Sequence, residues 1–200
     1  MNEQTSSDSL ASDCTGYPNR ADVLALQPFT QDEVRARASR FLSLIEEVDH
    51  CAHDRANFVT RADRTLVQLA GGARAVVYHA SGALQFHAGT TPFTAPFERV
   101  EERAVLTRLV TEAAQRLRVA EWAGENGSLA FERLFQSKGQ GADREDRLAE
   151  AVLFRATGAW RHALGGIPVL GAASVALTLS GDGRLDALAL NIRPGVAEKL

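Results

Sequence analysis

Lysine is nearly absent: of 22 basic residues only Lys138 and Lys199 are lysines, and the rest are arginines. Nor is there a basic excess, since 25 acidic residues leave a net charge of −3 and a pI near 6.0. A nucleic-acid backbone demands a concentrated basic face, so this balance argues against a nucleic-acid partner. Cysteine is equally scarce. Cys14 and Cys51 are too few for a disulfide scaffold, and a bridge from a polar tail to a helix end is an unfavourable staple, so both read as free thiols. No apolar run approaches the roughly 18 to 20 residues of a membrane-spanning helix. The opening MNEQTSSDSLASD has neither the basic nor the apolar region of a signal peptide. The expected compartment is the cytoplasm as the chain stands, and an extracytoplasmic one if a leader has been removed.

What is present is a globular composition, 45% hydrophobic over 200 residues, enough for one full core or two small coupled ones. Residues 1–28 are polar and aperiodic and read as a disordered tail. Thr30-Gln31-Asp32-Glu33 then has the form of a capping box, and Val34, Ala38, Phe41, Ile45 and Val48 recur at spacings of four and three. This predicts a helix over about 31–51. Strand-like runs follow at 65–69, 73–80 and 83–88, with Ser81-Gly82 as a two-residue turn that places Ala75, Val77, Leu84 and Phe86 on one face. Thr94 and Pro96 announce a second helix running to about Val119, with Leu106, Leu109, Val110, Ala113 and Leu117 as its buried stripe.

Beyond it, 128–136 and 151–164 read as strands separated by a polar loop at 137–146, and 175–179 turns back through Asp182-Gly183. With those two residues as a type I′ turn, Val175, Leu177, Leu179, Leu188, Leu190 and Ile192 share an apolar face. Ser174, Ala176, Thr178, Leu185, Ala187, Ala189 and Asn191 form a mostly small opposite face. The predicted class is therefore α+β, an antiparallel sheet packed against two amphipathic helices. Helix then strands occurs twice, over 29–93 and 94–194, with a tail at 195–200.

GGIPVLGA, residues 165–172, interrupts the strand pattern. Its glycines permit a sharp turn, and Pro168 has no N–H to give to a ladder, so the stretch reads as an edge, a bulge or a connection. No helix N-terminus and no Lys-Ser/Thr pair follows it, which sets aside a phosphate loop. Together with Arg155, Trp160, Arg161, Gly166, Ile167, Pro168, Val169, Gly171, Asp182 and Gly183, it resembles the hairpin core of the PepSY and fungalysin/thermolysin-type propeptide superfamily. The likeness covers 151–192. It implies an α+β module, in one or two cystatin-like or PepSY-like halves, that inhibits a peptidase or assists its folding in trans.

Candidate chemistry is thin. His50 and His53 share a helix face beside Asp49, but zinc needs at least three protein ligands, and His79 and His87 fall on opposite faces of their hairpin. The favoured reading is a polar helix end, with no metal or other cofactor. No serine lies in a G-x-S-x-G elbow, and Cys51 diverges from its neighbouring histidines. Enzymatic activity is left open, the lean being against it.

Trp160, Arg161 and His162, with Ile167, Pro168 and Val169, form the candidate partner-binding set, on a strand expected at or near a sheet edge. The expected function is a non-enzymatic protein- or peptide-binding module, a peptidase being one candidate partner. Two alternatives stand beside it: a small enzyme or ligand-binding domain with a helix–sheet pocket, and a cytoplasmic secretion chaperone or immunity protein whose paired halves make a homodimer surface.

Overall fold

The first helix begins where its sequence demands. The Thr30 amide and hydroxyl both donate to the Glu33 carboxylate, at 2.7 and 2.8 Å, and the Glu33 amide donates back to the Thr30 hydroxyl at 3.3 Å. These bonds satisfy donors that the first turn otherwise leaves without partners, and they hold the Glu33 carboxyl below its ordinary pKa.

The structure, a computed structural model, describes residues 23–25, 28–49, 56–89, 97, 102–124, 126–170, 174–192 and 196–198. Most of the polar tail, Cys14, Cys51, His50, His53 and the Thr94/Pro96 helix start lie outside them. In chain order the elements are β1 (Val23–Ala25), α1 (Gln31–Asp49), β2 (Asn57–Thr60), β3 (Arg64–Gln68), β4 (Arg74–Tyr78) and β5 (Leu84–His87). Then come α2 (Arg103–Arg116), β6 (Gly127–Gly139), β7 (Val152–Leu164), β8 (Ile167–Pro168), β9 (Ser174–Ser180), β10 (Leu185–Asn191) and β11 (Val196–Glu198).

The protein is α+β, with a nine-stranded antiparallel sheet and two helices. The strand order is β2-β3-β4-β5-β10-β9-β7-β6, β8 pairs with the end of β7, and β1 pairs separately with β11. Each half is thus a helix followed by an antiparallel meander. The halves meet where β5 pairs with β10, Gln85 opposite Ala189 and Leu84 opposite Leu190. One core runs through both, from Phe41 and Ile45 of α1 to Leu106 and Val110 of α2, over Val77, Leu84, Leu188, Leu177 and Trp160 of the strands. The division near residue 93 is therefore a change of connectivity, with the core continuous across it.

Several boundaries differ from the sequence expectation. Glu102 has extended backbone, so α2 begins at Arg103, and it ends where Arg118 turns left-handed at φ 47° into a short 3-10 turn (Val119–Ala123). The β4–β5 turn has four residues, 79–82, because the Tyr78 and Ala83 backbones still bond across it. Strand β6 continues three residues past Gln136, since Ser137, Lys138 and Gly139 pair with β7 despite their polarity.

The β9–β10 turn has three residues, closed by bonds between Ser180 and Arg184. Gly183 alone is left-handed, whereas a type I′ turn needs two such residues. Leu185 consequently pairs with Leu179 and is buried beside it, and a bulge at Asp186 restores the register from Ala187 onward.

Candidate functional site

Strand β7 lies one strand in from the edge, between the edge strand β6 and β9, near the sheet edge rather than at it. The exposed-looking polar run of β6 is what covers it. Along β7, side chains alternate between two environments. Trp160 is 6% exposed and meets Phe131 edge-on at 5.5 Å. A Cβ on Gly158 would lie 2.7 Å from Trp160 and 2.8 Å from Val110, so the indole fills the space beneath α2.

His162 is 1% exposed, with Nε2 3.3 Å from the Ala123 carbonyl oxygen. Burial lowers its pKa, and the Ala123 contact opposes that shift only in part. Neither Trp160 nor His162 can touch a partner in the folded chain. Arg161 points to the other face and donates to both Glu132 oxygens at 3.0 and 3.1 Å. Arg133 donates to the same carboxylate at 2.7 Å, and the two guanidiniums, Arg133 first, hold Glu132 below its ordinary pKa.

GGIPVL, residues 165–170, is a fold-back; Gly171 and Ala172 lie outside the described residues. Gly165 and Gly166 are left-handed at φ 54° and 83°, Ile167 and Pro168 pair with Leu164 and Ala163, and the Val169 amide donates to the His162 carbonyl at 2.9 Å. An added Cβ at either glycine would meet nothing, so backbone conformation and not space calls for glycine there. Ile167 and Pro168 are exposed and Val169 is half-buried, beside Leu170 at 90% exposure. The six expected partner-binding residues thus divide among the core, the open sheet face and one end of the sheet.

The surface they leave is the face away from the helices. Register carries one row of side chains over eight strands: Val59, Leu66, Val76, Gln85, Ala189, Ala176, Ala159 and Arg133. The next row reads Asn57, Gln68, Arg74, His87, Ala187, Thr178, Thr157 and Phe135. Over three consecutive strands, β10, β9 and β7, both rows hold only alanine and threonine. The hydroxyls of Thr157 and Thr178 sit 2.9 Å apart. Larger side chains stand on either side: Arg133 over the ring of the 50%-exposed Phe135 on β6, and Gln85 and His87 on β5.

Charge is distributed unevenly. Five arginines, Arg64, Arg74, Arg133, Arg155 and Arg161, alternate onto this face, against three paired carboxylates, Asp63, Glu132 and Asp186. A chain of net charge −3 therefore presents a locally positive sheet face.

Elsewhere the described residues offer less. A cavity of about 130 Å³ lies between the end of α2 and the β9–β10 turn, lined by Arg116, Leu117, Asp182 and Arg184 among others. That is below the few hundred Å³ of a small-molecule site. No group of three or more His, Cys, Asp or Glu among them is placed to hold a metal. No helix of the described residues is long and apolar enough to cross a membrane. Arg37 stacks over Trp122 at 4.8 Å and reaches the Ile192 carbonyl at 3.4 Å, and burial, with Arg40 nearby, pushes its pKa down to about 10.

Sequence reading found the small residues of β9 and β10 by their alternation. It missed Thr157 and Ala159, because nothing local reveals that β7 sits beside them. Comparison with protein-family models, with curated proteins and with solved structures returns no match to this chain.

Proposed function

We propose that this chain is a non-enzymatic protein- or peptide-binding module whose contact surface is the helix-free face of the sheet. The observation that carries this reading is the central patch of Ala187, Ala189, Ala176, Ala159, Thr178 and Thr157, framed by larger residues on β5 and β6. Alanine is disfavoured in strands, and a solvated face is served better by threonine, valine or tyrosine. Four alanines in adjacent strands gain nothing in sheet stability and make sense where another polypeptide must approach closely.

Strand addition at the long edge β6 is the weaker route. It carries a bulge at Glu132 and the charges of Glu132, Arg133 and Lys138, devices that discourage further pairing, and its register with β7 shifts again at Phe154 of that strand. The propeptide resemblance of 151–192 agrees with a trans-acting inhibitor or folding assistant, and keeps a peptidase among the candidate partners.

The test is affinity capture from the native host, read by mass spectrometry, with the parent chain and Ala176→Trp as baits. The indole would stand on the solvent side of β9 and leave the core untouched, so melting temperature should hold. Loss of a specific partner from the Ala176→Trp bait is expected. Equal recovery by both baits removes the sheet face as the binding surface.

A further inference from the structure

Resting on the binding-module reading, we infer that the occupant of this face is an α-helix whose small apolar stripe is flanked by Asp and Glu. Dimensions come first. From the β6 wall to the β5 wall is four strand spacings, about 19 Å at ~4.8 Å each. Side chains of Arg133, Phe135, Gln85 and His87 narrow that gap, leaving room for a helix of roughly 10–12 Å diameter. Within these two rows the three strands bear nothing larger than threonine, so a helix backbone can settle close to the sheet there, with Arg155 and Arg161 standing beyond the rows at either end along β7. A single extended strand would leave most of that width unfilled.

Charge then selects the helix. Arg133 and Arg161 share one carboxylate on the β6 side, and Arg74 stands beyond His87 on the other. Both flanks of a seated helix would face guanidiniums, which bind carboxylates through paired donors. Complementary charge raises encounter rate and fixes register, and like charge on the helix would be repelled.

A single-stranded nucleic acid fits less well. Base stacking needs neighbouring aromatic platforms. Here Phe135 on β6 and Tyr78 on β4 are five strands apart, separated by the alanines and threonines of β7, β9 and β10 and by Gln85 and His87 of β5.

The experiment measures fluorescence anisotropy of three labelled helical peptides of about 20 residues, ~30 Å long. They share one Ala/Leu stripe and differ only in flanks of Glu, Gln or Lys. A labelled dT oligonucleotide is the fourth probe. Saturable binding in the order Glu, Gln, Lys is expected, with Ala176→Trp abolishing it and Arg74→Glu with Arg133→Glu weakening the Glu peptide about tenfold.

Equal binding of the Glu and Lys peptides, or no saturable binding of any peptide, overturns the acidic-helix inference. So does tighter binding of the oligonucleotide, lost in Ala176→Trp. If the peptides fail while Ala176→Trp still loses its captured protein, only this inference falls. If capture is equal with both baits, the binding reading falls with it.

Discussion

The two faces of strand β9 are built from alternate residues of one seven-residue run, and they obey different rules. Val175, Leu177 and Leu179 are buried under the helices, where close packing makes each volume consequential. Ser174, Ala176 and Thr178 face away and are only half-buried, so folding imposes no such limit on their size. The smallness that recurs on β7 and β10 is therefore a property of the face and not of the strand. The difference separates what the sheet needs to fold from what it is free to use for something else.

The largest effect that sharpens this contrast is expected on the core side. Leu177→Ala should cost about 2 to 5 kcal/mol of stability in urea or guanidinium unfolding, from lost burial and the cavity left behind. Gly158→Ala comes next, at about 1 to 3 kcal/mol, because its methyl would press on Trp160 and Val110. A cost near zero would mean that α2 lies farther from β7 than described.

His162 gives the core face a pH dependence. Its folded pKa is lowered, so on acidification the unfolded chain takes up the proton first. Its contribution to stability should be complete above about pH 6.5 and lost as pH falls through the lowered folded value. His162→Gln should flatten that part of the profile of denaturation midpoint against pH, and an unchanged slope would refute the assignment.

The smallest effect belongs to the open face. Ala176→Thr should shift stability by no more than about 0.5 kcal/mol. Arg161→Ala should leave the melting temperature nearly unchanged, since its guanidinium is half-exposed. A large loss from either would erase the distinction between the faces.

How much of this was legible follows from where the determining interactions lie. Helix α1 was readable because the capping box and the 3–4 spacing of Val34, Ala38, Phe41 and Ile45 are local. The faces of β4, β5 and most of β9 and β10 were readable because alternation is local too. Leu185 was misplaced because Asp182-Gly183 imitates a two-residue turn, whereas the chain uses three residues and a compensating bulge. That β7 stands one strand in from the edge rather than at it is not legible, because Pro168, an edge signal, belongs to the short β8, and the polar β6 looks unlike a strand that covers another. The candidate site was only half legible. Its central rows depend on β10, β9 and β7 standing side by side, and no nearby residue encodes that order.

The seam between β5 and β10 carries a consequence for the order in which this molecule can be assembled. Gln85 and Ala189 are partners across about a hundred residues of chain. The first meander can form early, from contacts that are close in sequence, but β5 then stands as a bare edge with half a core behind it. Its partner is the last strand of the sheet to be synthesised. Long-range pairing of this kind slows folding and prolongs exposure of sticky edges. A chain stalled before β10 should accumulate as an aggregation-prone half, and helpers of synthesis, recruited to β5, would matter more for this protein than for one whose sheet closes in the order it is made.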